Sequence, residues 1–245
     1  MNLEVGRPRT PVAASKSLAF VEAFGPTIQG EGPQMGRACS FMRFGACNLS
    51  CSWCDSAYTW NSKLYPPREN INMIDPDEIH ALIPDAPMLV ITGGEPLMQQ
   101  NRAGWQEFLE IASNRFAFIS METNGTHMPT ALTQAHVDQF VVSPKLSTVE
   151  MLRKRQDRTP VQTWPDVQAL VDFKIVVSTP DDIDEALLLA ETAGIPRDRL
   201  WLMPEGITTE ALADKWGWLT EAAARHGCNA SHRLHVLSWG EERGH

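Results

Sequence analysis

The stretch Cys39-Ser-Phe-Met-Arg-Phe-Gly-Ala-Cys47-Asn-Leu-Ser-Cys51-Ser-Trp-Cys54 joins an apolar run to three cysteines in C-x3-C-x2-C spacing. The run 39–44 reads as a strand, and the cysteines follow close behind its end. Three thiolates within eight residues can hold three corners of a cubane iron–sulfur cluster and leave the fourth iron without a protein ligand. An iron with a vacant position can bind a reactive molecule, which a fully ligated cluster cannot. A zinc site is the plainer alternative, but structural zinc takes four ligands and closes. The next histidine, His80, has no partner at finger-like spacing. Inert structural thiols, the third reading, would not need this spacing.

Outward from that stretch, strands and helices alternate. Apolar runs consistent with strands cover 18–23, 39–44, 88–92, 116–121, 137–142, 171–176, 200–203 and 234–238. Several are continuous, as in parallel strands covered on both faces. Helical patterns occupy 76–83 after Asp75, 104–113, 182–193 up to Gly194, and 210–226 up to Gly227. About six strand–helix–strand repeats imply an α/β fold of mostly parallel strands, either a doubly wound open sheet or a complete or partial (β/α) barrel. In both, loops leaving the C-terminal strand ends carry the chemistry. Thr92-Gly-Gly-Glu-Pro96, Glu122-Thr-Asn-Gly125, Ser143-Pro-Lys145 and Met203-Pro-Glu-Gly206 all fall at such ends. Gly93 and Gly94 would let the backbone approach a ligand closely. Residues 146–168, with five charged residues between Arg153 and Arg158 and two prolines, show no clean period and read as an inserted excursion from a single domain, 18–245.

With 245 residues, 43% of them hydrophobic, the chain can bury a full core. Twenty-one basic against thirty acidic residues give a net charge of −9, which argues against nucleic-acid or anionic-membrane partners. Five cysteines, three of them clustered, make a poor disulfide framework and fit a reducing cytoplasm. No apolar stretch approaches a membrane span. Residues 1–17 read as a basic, poorly ordered tail.

The cysteine motif followed by Gly93-Gly94-Glu95-Pro96 resembles the signature of radical S-adenosylmethionine (SAM) enzymes. Together with Pro26-Thr-Ile-Gln-Gly-Glu-Gly32, Phe41-Met-Arg-Phe-Gly-Ala-Cys-Asn-Leu49, Cys54-Asp-Ser56, Glu122-Thr-Asn-Gly125 and Val142-Ser-Pro-Lys145, it is similar to the 7-carboxy-7-deazaguanine synthases over roughly residues 18–206. That resemblance implies a partial or modified (β/α) barrel and three cofactors, a 4Fe–4S cluster on Cys47, Cys51 and Cys54, SAM, and Mg2+ on the Ser56 hydroxyl. It implies a SAM site of Trp53, Asp55, Gly94, Glu122, Ser143, Pro144, Lys145 and Met203, with Glu122 facing the sugar or the substrate. A pterin site of Ile28, Gln29, Gly30, Glu31, Arg43 and Thr92 is implied as well, with Arg43 holding the substrate carboxylate. Glu122 and Lys145 could instead form a mutual ion pair.

The implied reaction is conversion of 6-carboxy-5,6,7,8-tetrahydropterin to 7-carboxy-7-deazaguanine with loss of ammonia, a carbon–nitrogen lyase step of queuosine and 7-deazapurine biosynthesis. It implies a flavodoxin- or ferredoxin-like electron donor and a homodimer. The rival readings are an activase that makes a glycyl radical on a partner protein, and a cluster protein without catalysis. Two segments depart from the family pattern: Met203-Pro204, where Gln-Pro is usual, and the run from His232 to His245.

Overall fold

Side chains in the apolar runs alternate between two packed faces, so each run serves two environments. The computed structural model describes residues 15–153, 160–240 and 242–244. Among these, nine strands make one sheet: β1 (Leu18–Ile28), β2 (Ala38–Phe44), β3 (Asn72–Ile74), β4 (Met88–Gly93), β5 (Phe118–Thr123), β6 (Gln139–Val142), β7 (Leu170–Val177), β8 (Leu200–Pro204) and β9 (Asn229–Ala230). The helices are α1 (Pro67–Asn70), α2 (Pro76–Leu82), α3 (Trp105–Arg115), α4 (Ala131–His136), α5 (Asp181–Ala193), α6 (Thr209–His226) and α7 (Leu234–Trp239). Helices α5 and α6 stop where Gly194 and Gly227 take φ of 68°, a left-handed conformation that glycine adopts without steric cost.

Strand order is β3-β1-β2-β4-β5-β6-β7-β8-β9, with every neighbouring pair from β2 onward parallel. A doubly wound sheet reverses its order at a switch point. This order never reverses after β2, so right-handed crossovers place the helices on a single face. The sheet curls around the other face into a partial barrel. Its open side is spanned by the turn after β1, where Leu234 N–H donates to the Gly30 carbonyl (2.9 Å) and Gly32 N–H to Ser231 Oγ (2.6 Å).

The outer face carries the main core. Met42, Phe44, Leu89, Ile91, Met121, Val142 and Ile175 pack under Ile79, Trp105, Phe108, Leu187 and Leu219 of the helices. Burying such side chains contributes roughly 1.5–3 kcal/mol each, which leaves the inner face free for polar groups. That inner face is apolar near the N-terminal strand ends, at Cys39, Phe41, Met88 and Val90. Towards the C-terminal ends it turns polar, with Arg43, Thr92, Glu122 and Lys174.

Residues 234–238, expected as a strand, are instead the helix α7. The last strand place is taken by Asn229–Ala230 beside β8, and the apparent alternation of Leu234, Val236 and Ser238 winds into a helix of which only Val236 is buried. Of the expected excursion, residues 154–159 lie outside the described residues. The flanking parts pack onto the barrel: Leu146, Val149 and Trp164 are buried, and Trp164 Nε1 donates to the Gly125 carbonyl at 2.9 Å. Of the expected tail, 1–14 lie outside the described residues. Lys16 pairs with Glu107 (2.7 Å), and Ser17 Oγ donates to Asp75 (2.8 Å).

Candidate active site at the barrel mouth

The cysteine loop leaves the end of β2 and is fixed from three directions. At its stem, Ala46 sits at φ 72°. Its N–H reaches the Thr59 carbonyl (2.8 Å), and its own carbonyl accepts from Glu95 N–H (2.8 Å). In the middle, Cys51 forms a bridge with Met151. Behind it, the Arg153 guanidinium donates to the carbonyls of Cys47 and Leu49.

Gly93 and Gly94 serve this stem. A β-carbon on Gly93 would lie 2.2 Å from the Phe44 carbonyl oxygen, and one on Gly94 would lie 2.0 Å from that of Ala46. The close approach that the glycines allow is therefore to the chain itself. Glu95, fully buried, ties the next loop in: it accepts from Leu97 N–H (3.0 Å), Thr123 Oγ1 (2.8 Å) and Asn124 N–H (2.7 Å). Burial pushes its carboxyl up to about 7 against those donors.

All three cysteines are free and line one cavity of about 590 Å³. Trp60 Nε1 donates to Cys54 Sγ at 3.3 Å and Asn124 Nδ2 to Cys47 Sγ at 3.7 Å. N–H donors to sulfur are the kind of environment that iron–sulfur thiolates use. Among the described residues no three His, Cys, Asp or Glu are placed to hold a single metal ion. Burial pushes the Cys47 thiol up to about 12 and raises that of Cys51, so loading metal there must displace protons.

Across the cavity the inner strand residues meet. Glu122 Oε2 accepts from Thr92 Oγ1 (2.9 Å); its Oε1 accepts from Gln29 Nε2 (3.2 Å) and Lys174 Nζ (3.3 Å). Lys174 also donates to Glu31 at 2.6 Å, and Arg233 holds Glu31 from the other side at 2.8 Å. Arg233 further donates to Asp55 and, at 2.5 Å, to the Gly206 carbonyl. Burial works to raise Glu31, but Lys174 and Arg233 overcome it and hold this carboxyl well below the usual range. Arg43 donates through Nε to Glu22 (3.0 Å), which also accepts from Tyr58 (2.6 Å) and Arg243 (3.4 Å).

Of the residues singled out in the sequence, Gln29, Glu31, Arg43, Trp53, Asp55, Ser56, Thr92, Gly94, Glu122, Ser143, Lys145 and Met203 line this cavity with the cysteines. Ile28, Gly30 and Pro144 stand outside its lining. Gly30 instead makes room for His235, whose Nδ1 lies 2.2 Å from where a β-carbon would be. The Glu122–Lys145 pair does not form: Glu122 pairs with Lys174, while Lys145 donates to Ser143 Oγ (2.9 Å) with its ammonium 5.4 Å from the Trp53 ring centre.

Sequence reasoning missed Lys174, Arg233 and His235. Lys174 had a usable signal. In Val171-Asp-Phe-Lys-Ile-Val-Val177 two charges two residues apart interrupt an apolar strand, so both face inward.

A family model described as the radical SAM superfamily matches residues 42–214. The 7-carboxy-7-deazaguanine synthase of Pyrobaculum aerophilum is 32% identical over 236 residues, covering 95% of this chain and all of that protein. The chain belongs to the 7-carboxy-7-deazaguanine synthase family of radical SAM proteins. The synthase of Bacillus subtilis is 29% identical, with 94% and 99% of the two chains covered. The crystal structure of QueE from Escherichia coli shares the fold at a TM-score of 0.62 and 23% identity, covering 88% of this chain and 93% of that one. Membership brings with it a 4Fe–4S cluster and SAM, and the free, N–H-solvated thiols on one cavity wall fit that cluster.

Proposed function

We propose that this chain converts 6-carboxy-5,6,7,8-tetrahydropterin into 7-carboxy-7-deazaguanine with loss of ammonia, as a carbon–nitrogen lyase. The observation that carries the reading is the single 590 Å³ cavity with the three cysteines on one wall and Gln29, Arg43, Thr92 and Glu122 on another. Cys47, Cys51 and Cys54 would hold the cluster, which together with SAM would supply the radical chemistry for hydrogen abstraction at C6 of the pterin.

The protein's part is to hold the substrate close and to keep water out. Arg43, fixed through Nε by Glu22, offers its terminal nitrogens as a fork for the substrate carboxylate. Gln29, Thr92 and Glu122 supply polar contacts to the ring. Trp53, Gly94, Ser143, Lys145, Met203 and Asp55 line the side proposed for SAM. The Ser56 hydroxyl, beside Cys54 at 3.7 Å, is the proposed protein ligand of Mg2+, which would take its remaining oxygens from substrate and water.

A flavodoxin- or ferredoxin-like donor, a homodimer and a cytoplasmic setting complete the proposal. No helix among the described residues is long and apolar enough to cross a membrane. The test is anaerobic: protein reconstituted with iron and sulfide, dithionite, SAM and the carboxytetrahydropterin, with products read by mass. 7-Carboxy-7-deazaguanine formed over many turnovers per SAM supports the reading. 5′-Deoxyadenosine without that product overturns it. Stoichiometric SAM consumption with a glycyl radical on an added protein would favour the activase.

A further inference from the structure

Lys174 lies in the middle of β7 on the inner face, 5% exposed. A lysine buried this deeply is costly unless its charge is matched. Its ammonium is 2.6 Å from Glu31 Oε2 and 3.3 Å from Glu122 Oε1. The two carboxylates differ in what else they have. Glu31 has a second cation, Arg233, at 2.8 Å. Among the described residues Glu122 has only Lys174 at ion-pair distance.

Counting lone pairs sharpens this. Each carboxylate oxygen has two acceptor positions. On Glu122, Gln29 and Lys174 fill those of Oε1, and Thr92 fills one on Oε2. One acceptor position is left on Oε2, in a cavity that Gln29, Thr92 and Lys174 all line.

We infer that Lys174 is a positioning residue of the proposed reaction, its ammonium fixing Glu122 as a carboxylate whose remaining lone pair accepts a single N–H of the substrate ring. The inference rests on the proposed pterin chemistry for the ligand and on geometry for the Lys174–Glu122 link. Burial would push the Lys174 ammonium down, but Glu122 and Glu31 outweigh it and hold the group above the ordinary lysine range, so it acts as a fixed cation. The other charged or titratable groups facing this centre are Arg43 and Cys39 from β2, Glu31 from the turn after β1, and Arg233 and His235 at the start of α7. Burial holds His235 below its ordinary value, so at pH 7 it stays neutral.

The test compares the reconstituted parent, Lys174→Arg, Lys174→Met and the charge-balanced Lys174→Met/Glu122→Gln. Binding of oxidised 6-carboxypterin, which does not turn over, is followed by its fluorescence without reductant at pH 7. Lys174→Met should bind about tenfold or more weakly than the parent. Lys174→Arg, which restores the cation, should bind within about threefold of the parent. Infrared spectra of the same proteins give a readout independent of any ligand. The carboxylate stretching band should shift in Lys174→Met beyond any shift seen in the double variant, whose balanced charges favour folding. Failure of the parent to bind the pterin overturns the proposed ligand, while the infrared band still decides the Lys174–Glu122 link. Lys174→Arg binding as weakly as Lys174→Met, or no difference in the carboxylate band between Lys174→Met and the double variant, overturns the inference.

Discussion

Replacing Gly94 by alanine should loosen the cysteine loop, and the structure sets the size of the effect. The added β-carbon would sit 2.0 Å from the Ala46 carbonyl oxygen, 2.6 Å from its carbon and 3.0 Å from Cys47 Cβ. Non-bonded atoms prefer roughly 3.5 Å, so β4 and the loop stem must part by about 1.5 Å. Overpacking of this kind costs about 1–3 kcal/mol. Two backbone hydrogen bonds cross the same seam, Gly94 N–H to Phe44 O (3.0 Å) and Glu95 N–H to Ala46 O (2.8 Å). Each lost bond adds about 0.5–1.5 kcal/mol, for a total of roughly 2–6 kcal/mol. In a chain of this length that lowers Tm by at least about 4 °C.

A built-in control is Gly217→Ala in the middle of α6, where an added β-carbon meets nothing within 4 Å. The same chemical change there should raise stability by up to about 1 kcal/mol. Anaerobic melting curves and iron content of the two variants check the reasoning. If Gly94→Ala melts with the parent and retains full iron, the stem does not depend on that close approach, and the account of the glycine pair given above is wrong.

Glu95→Gln should cost about 1–3 kcal/mol at pH 8.5, where the carboxylate is charged, because an amide NH2 must face one of three buried donors; urea unfolding reads it. Arg233→Met leaves Glu31 with one cation and the Gly206 carbonyl without its donor, and should destabilise by about 3 kcal/mol; a loss below 1 kcal/mol in the same assay would show the network to be slack. Burial also lowers the pKa of His80, whose ring stacks on Phe108 and hydrogen-bonds its carbonyl. Below about pH 6.5 the unfolded chain binds the extra proton and the folded chain does not, so stability should fall as pH drops from 7.5 to 5.5. That decline should be shallower in His80→Phe, measured as unfolding free energy at each pH.

Much of this was legible in the residues alone. The parallel order followed from continuous apolar runs such as 88–92, and the loop motifs fell at C-terminal strand ends because they begin where those runs stop. What the pattern could not give was partnership across the barrel. Gly93 and Gly94 announce a close approach but not to what; the neighbour, Phe44 to Ala46, is fifty residues away in sequence. Arg233 and His235 sit in a run whose alternation imitates a strand, and only the short β9 before it shows that the last strand place is already filled. Lys174 was readable from its strand phase, but a charge within an apolar run is easily absorbed into the strand that carries it.

The contact between Glu31 and Arg233 spans 202 residues, with every parallel strand lying between its two partners. Contacts that distant form late, after the intervening chain has surrendered its loop entropy. Until then Glu31 and Glu122 share the single cation Lys174, and any half-assembled species carries an unbalanced negative charge in its interior. Folding order and pocket geometry thus meet in one ion pair: the sheet must be complete before the pocket is electrically settled, which should make the last stage of folding cooperative and leave little room for a partly built site.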